Sequence, residues 1–153
     1  MAKSSKSQPA PTWHQFALPS DQTRALWANG RERTWWAECG RDWDAVAISP
    51  LALGLEVLDS MRLNPRDGYP VLADYLNGKV YVLVPPGTGH KTARKGVRVL
   101  TLGSYLLLPQ TAHGTMAAYW LSPLRRKSPL VCPEQLARHL QLAGARQPKA
   151  AAS

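Results

Sequence analysis

The segment Val80-Tyr-Val-Leu-Val-Pro-Pro-Gly-Thr-Gly-His-Lys-Thr92 holds the residue types of a phosphate-binding loop: an apolar run, two glycines, then a lysine and a threonine. A working loop needs G-x-x-x-x-G-K-[ST], so that successive amides cradle the phosphates and the lysine reaches them. Here Val84 stands in the first glycine's place and His90 separates Gly89 from Lys91. No later acidic residue ends an apolar strand to hold magnesium. Nucleotide hydrolysis is therefore not expected. Nucleophilic catalysis lacks its parts as well. Ser49, Ser60, Ser104 and Ser122 have no G-x-S-x-G context, and His14, His90, His113 and His139 are scattered. His113, in Gln-Thr-Ala-His-Gly, reads as a loop residue. No CxxC or HxxxH spacing exists, so no metal site and no cofactor is expected.

A second set of blocks runs in order through the middle of the chain. They are Trp43-Asp-Ala-Val-Ala-Ile-Ser49 with Gly54-Leu-Glu-Val-Leu-Asp59, then Tyr81 through Thr88, then Gly96-Val-Arg-Val with Gly103-Ser-Tyr-Leu-Leu-Leu-Pro109, and Tyr119-Trp120. Together they resemble the primase–polymerase domain of bifunctional replication proteins from plasmids, phages and actinobacteria. The resemblance covers roughly residues 20–122 and implies an RNA-recognition-like α+β fold. It also implies two aspartates, with one residue between them, on the first strand, holding metal ions for nucleotidyl transfer. Asp59 matches the first and Met61 occupies the second place. Lys79 stands where the family has a phosphate-contacting histidine, and Arg98 where it has a third carboxylate. The resemblance thus implies a non-catalytic relative with Asp59 as a vestige, provided Gly54 to Met61 is a strand.

Charge points the same way. The chain of 153 residues has a net charge of +9. Up to Gly78 there are eight Lys and Arg against nine acids; from Lys79 onward there are eleven against Glu134 alone. Such asymmetry suggests an anionic partner. Nucleic acid is the first candidate, held by Lys79, Lys91, Arg94, Lys95 and Arg98, with Arg125, Arg126 and Lys127 as a second patch. Lys and Arg can neutralise phosphates without reading sequence. A solvated charged face is the plain alternative. A protein-interaction module is the functional one, using the apolar hairpin and the last helix, with the basic loop meeting an acidic partner. The lack of RNP-type aromatics leaves that alternative open.

The elements that must position these residues read as one α+β domain over residues 12–142, a mixed or antiparallel sheet with hairpins packed on N- and C-terminal helices. Residues 1–11 and 143–153 are polar or Ala-rich and are expected to be disordered tails. Ser20 can cap a helix beginning at Asp21. Trp27, Trp35, Trp36 and Trp43 crowd the next region, as core anchors or as stacking platforms. A second short helix would stop at Cys39-Gly40. Asp44 to Ser49 reads as a strand. From Pro50 to Leu63 the spacing of Leu51, Leu55 and Leu58 fits a helix, while Gly54 to Asp59 also fits a strand.

Tyr69–Leu76 and Lys79–Val84 flank Asn77-Gly78, which predicts a hairpin with a two-residue type I′ turn. Gly96–Leu100 and Ser104–Pro109 read as a second strand pair, and Met116–Leu121 as another strand. Pro133 opens a last helix with Leu136, Leu140 and Leu142 facing inward. No apolar run reaches the roughly 18 residues of a membrane span. MAKSSKSQPAP lacks the apolar stretch of a secretory signal. With Cys39 and Cys132 far apart, reduced thiols and a cytoplasmic setting are expected. The oligomeric state stays open.

Overall fold

The structure is a computed structural model, and it describes residues 12–30, 33–123 and 129–146. It has the expected α+β class. The helices are α1 (Trp13–Phe16), α2 (Asp21–Asn29), α3 (Leu51–Ser60) and α4 (Pro133–Arg146). The strands are β1 (Thr34–Glu38), β2 (Asp44–Ile48), β3 (Val71–Asp74), β4 (Lys79–Val84), β5 (Val97–Leu100), β6 (Tyr105–Pro109) and β7 (Tyr119–Trp120). Five of them form an antiparallel sheet in the order β5-β2-β4-β3-β7, and β1 pairs with β6 in a separate ribbon. No helix among the described residues is long and apolar enough to cross a membrane.

All of β2 is buried, which explains why DAVAI shows no polar alternation: both its faces are covered. Side chains of alternate residues divide between two cores. Val46, Ile48, Val71, Val80 and Val82 join Trp13, Leu58 and Leu136 in a core between the sheet and helices α1, α3 and α4. Ala45, Leu72, Leu83 and Leu100 meet Ala37, Cys39, Leu106 and Leu108 of the β1–β6 ribbon on the other face. Burial pushes the Cys39 thiol up to about 11, with Asp44 and Glu38 adding to it. Cys39 and Cys132 are both free.

Ser20 caps α2 as its side chain predicts, accepting from Thr23 N at 3.1 Å. Gly30 ends that helix in the left-handed region at φ 67°. Residues 51–60 are helical, and this settles the ambiguous stretch. Leu55, Val57 and Leu58 are buried, and α3 lies so close to β4 that a Cβ on Gly54 would stand 2.7 Å from Val80 Cβ.

Five expectations need correction. Residues 34–38 form strand β1 and not a helix. Its pairing runs Thr34–Pro109 to Glu38–Tyr105, and this distant partner overrides a locally helix-compatible sequence. Strands β5 and β6 both exist but do not pair with each other; β5 lies along β2 and β6 along β1. The hairpin β3–β4 is present, yet its last pair is Asp74–Lys79, so the loop holds four residues, with positive φ at Gly78 (66°) and not at Asn77. The strand expected over 116–121 shrinks to Tyr119–Trp120. In α4, Leu136 and Leu140 face inward, but the next buried position is Ala143, and Leu142 is 46% exposed. The helix thus runs to Arg146, past the expected start of the tail at 143. Residues 1–11 and 147–153 lie outside the described residues.

Candidate functional site

The loop that resembles a phosphate cradle is occupied from within. Residues Gly89–Thr92 form a 3-10 turn. Gly89 N donates to Asp44 Oδ2 at 2.9 Å, and Thr101 Oγ1 donates to Asp44 Oδ1 at 3.0 Å. Asp44 is 2% exposed, so a buried carboxylate already holds the amide a phosphate would need. Thr92 turns its hydroxyl inward to Gly89 O at 2.7 Å. The amides of Thr88, Lys91 and Ala93 bond to Pro85 O, Thr88 O and His90 O. Gly89 is required by packing, since a Cβ there would sit 2.6 Å from Val99 Cγ1.

Asp59 lies on α3 and not on a strand. It accepts from Trp13 N at 2.7 Å and meets His14 Nδ1 at 2.8 Å, so it anchors α1 on the helical side of the sheet. It faces neither Lys79 nor Arg98, and the part that the resemblance gave it as a vestigial metal ligand does not fit this place. Ser60 and His139 also meet, at 2.9 Å. The Ser60 hydroxyl also lies 2.9 Å from Val57 O, so it sits between the α3 backbone and the His139 ring and ties α3 to α4.

The basic residues separate into two groups. Lys91 Nζ bonds Glu134 Oε2 of α4 at 2.5 Å. That bond, with the Glu134 backbone amide and Cys132 Sγ, holds the Glu134 carboxyl below its ordinary range. An acid 43 residues away therefore neutralises Lys91, which nearby sequence did not suggest. Arg94 lies over α4 as well, its guanidinium 2.9 Å from where a Gly144 Cβ would be. Lys95 is exposed in the turn between Arg94 and Val97. Arg125, Arg126 and Lys127 lie outside the described residues.

Lys79 and Arg98 belong to the opposite face. Ala47 of β2 is the register partner of both Tyr81 on β4 and Arg98 on β5, so these three form one row across the sheet. Lys79 is two residues from Tyr81 and shares its face. All four line a cleft of about 420 Å³ whose other walls include Trp36, Asp74 and Tyr105. Ala47, Lys79 and Arg98 also line a smaller hollow of about 230 Å³ at the Gly96 turn, so the groove continues between the two cations.

Among the described residues neither Lys79 nor Arg98 forms an ion pair. Among the described residues Asp74 is the one carboxylate that lines the larger cleft, and it is engaged by the hairpin. Its Oδ1 accepts from Leu76 N and Asn77 N at 3.0 Å each, and its Oδ2 from Asn77 Nδ2 at 2.9 Å. Burial raises the Tyr81 hydroxyl pKa, Asp74 raises it further, and Arg98 opposes them.

Two wall residues are open aromatic rings: Trp36 is 65% exposed and Tyr105 56%. In the sequence Trp36 is one of several crowded aromatics, and Tyr105 and Tyr81 do not stand out as site residues. The available signal was strand alternation: in Trp35-Trp36-Ala37 a period of two sends Ala37 into the core and leaves Trp36 outside. Trp13, by contrast, is fully buried, so the tryptophans divide between anchors and exposed rings. The cleft pairs two cations with flat rings. It is suited to holding an anion that carries planar groups. Comparison of the chain with family models, characterised proteins and solved structures finds no match.

Proposed function

We propose that the domain binds nucleic acid in the cleft above Ala47 and does not turn it over. One observation carries this reading: Lys79 and Arg98, from strands on either side of β2, line one groove and form no ion pair among the described residues, beside the exposed rings of Trp36 and Tyr105, while Asp74 in the same groove is taken up by the hairpin. Lys and Arg attract the phosphate backbone, and aromatic rings stack on bases of any sequence. The resemblance to primase–polymerase domains agrees on these two positions, since it assigns both to the side that meets nucleotide. It receives no support from Asp59, which is helical and remote. In this reading the protein is a cytoplasmic, non-catalytic relative working beside replication-related nucleic acid, and its affinity is micromolar or weaker at physiological salt, in the ordinary range of non-specific binders.

The test is fluorescence anisotropy with a labelled single-stranded oligonucleotide across a salt series. Losing two phosphate contacts should flatten the log–log salt slope by about 1.4, at roughly 0.7 per phosphate on a single strand. Lys79→Ala with Arg98→Ala should show that loss. Lys91→Ala with Arg94→Ala should change the slope much less, because these side chains lie against α4. Equal loss in both double variants would place binding on a diffuse surface charge, and no binding at low salt would end the proposal.

A further inference from the structure

A second concavity lies at the tip of the β3–β4 hairpin, between α2 and α3. It encloses about 1040 Å³, beyond the upper end of ordinary small-ligand pockets. Leu51, Leu55, Ala17, Ala28, Trp27 and Tyr75 are among its lining residues. The apolar surface does not stop inside it. Leu18 is 74% exposed, Leu76 64% and Met116 44%, and all three border the same groove. One wall is incomplete by the standards of a folded helix: α2 has no buried residue along its nine positions. It is held by Trp27 Nε1, which donates to His113 O at 2.9 Å, and by the packing of Trp27 on Tyr75 and Tyr119 at 5.7 and 5.4 Å.

Arg24 and His14 line this groove, and among the described residues no carboxylate does. His14 is already held by Asp59, whereas Arg24 forms no ion pair among the described residues. We propose that the groove docks an amphipathic, acidic helix of a partner protein. The occupant must supply apolar anchors for Leu18, Leu76 and Met116 and an Asp or Glu for Arg24. A helix offers both, with anchors on one face at i, i+3 or i+4, and i+7 and acids beside them. Met116 gives the surface the adaptability such docking uses. A small apolar molecule would fill the interior and leave Leu18 and Leu76 in water. The net charge of +9 adds attraction for an acidic partner. This inference is independent of the cleft above Ala47.

Selection from a displayed library of random peptides about four helical turns long tests it. The counter-target is the Leu18→Glu/Met116→Glu variant, whose altered side chains are exposed and whose melting temperature should match the parent. Peptides enriched by the parent alone should carry Leu, Ile or Phe at helical spacing with Asp or Glu between them. In anisotropy the best synthetic peptide should bind the double variant, and separately Arg24→Glu, about tenfold more weakly or worse. It should bind the Lys79→Ala/Arg98→Ala variant as it binds the parent. Absence of parent-specific enrichment would overturn the proposal, as would enrichment of basic or unpatterned peptides. Saturable quenching of tryptophan fluorescence by dodecanoate, abolished by Trp27→Phe and without peptide enrichment, would make this a small-molecule pocket and overturn it too.

Discussion

The backbone amide of Trp13 donates to Asp59 Oδ1 across a sequence separation of 46 residues. With His14 on the other oxygen, one carboxylate fastens α1 to α3. Asp59→Ala should therefore destabilise the fold by about 1.5–3 kcal/mol, the usual worth of hydrogen bonds to a charged group, and toward the lower end because the side chain is part-exposed. Oligonucleotide binding should be unchanged once the protein is folded. A stable Asp59→Ala protein that no longer binds would mean that this carboxylate belongs to the ligand site after all.

Gly54 inverts a common rule. Alanine in a helix interior ordinarily gains about 1 kcal/mol over glycine. At this position the added Cβ would meet Val80 Cβ at 2.7 Å, and that atom is fixed to a central strand. Gly54→Ala is expected to lower stability, by the roughly 1–3 kcal/mol of an overpacked core. Chemical denaturation of the two proteins decides the sign.

Gly78 closes the β3–β4 loop at φ 66°. A β-branched residue resists that region, so Gly78→Val should cost about 1–2 kcal/mol. No atom lies within 4 Å of a Cβ added there, so any loss measured by thermal melting reports backbone conformation and not a clash.

Trp36 offers a test of stacking separate from charge. Trp36→Ala should weaken binding of a single-stranded oligonucleotide by about 1–3 kcal/mol, the usual value for one stacked base. Competition by inorganic polyphosphate, which has no bases, should be unaffected. Equal losses for both anions would show that the ring shapes the groove and does not stack.

Where a residue's role depended on its near neighbours, it was legible in the sequence. Ser20 before α2, Pro133 at the first position of α4 and the valines of β4 carry their structure locally. The failures share a different cause. Residues 34–38 become a strand only because β6 lies beside them, some seventy residues on. Gly96–Leu100 and Ser104–Pro109 look like a hairpin because they are adjacent, yet each finds an older partner earlier in the chain. In α4 the three-residue spacing from Leu140 favours Ala143 over the larger Leu142, which chemistry alone would have placed inside. The candidate cleft was half visible. Its cations emerged from the family resemblance and the charge asymmetry, while the separation of Lys91 and Arg94 from Arg98 required knowing which sheet face each loop end reaches.

The bond from Gly89 to Asp44 has a consequence for how this molecule moves. A Pro-Pro-Gly-Thr-Gly segment would ordinarily exchange its amide hydrogens with solvent freely. Here the Gly89 hydrogen points at a carboxylate rooted in a strand flanked on both sides, with Thr101 holding the second oxygen. Release requires the Gly89–Thr92 turn to lift off β2 and uncover the buried carboxylate, a local opening that costs more than the fraying of a solvated loop. In deuterium the Gly89 amide should exchange more slowly than the amide of exposed Lys95 beyond the same turn, a firm point set inside a stretch whose composition reads as loose.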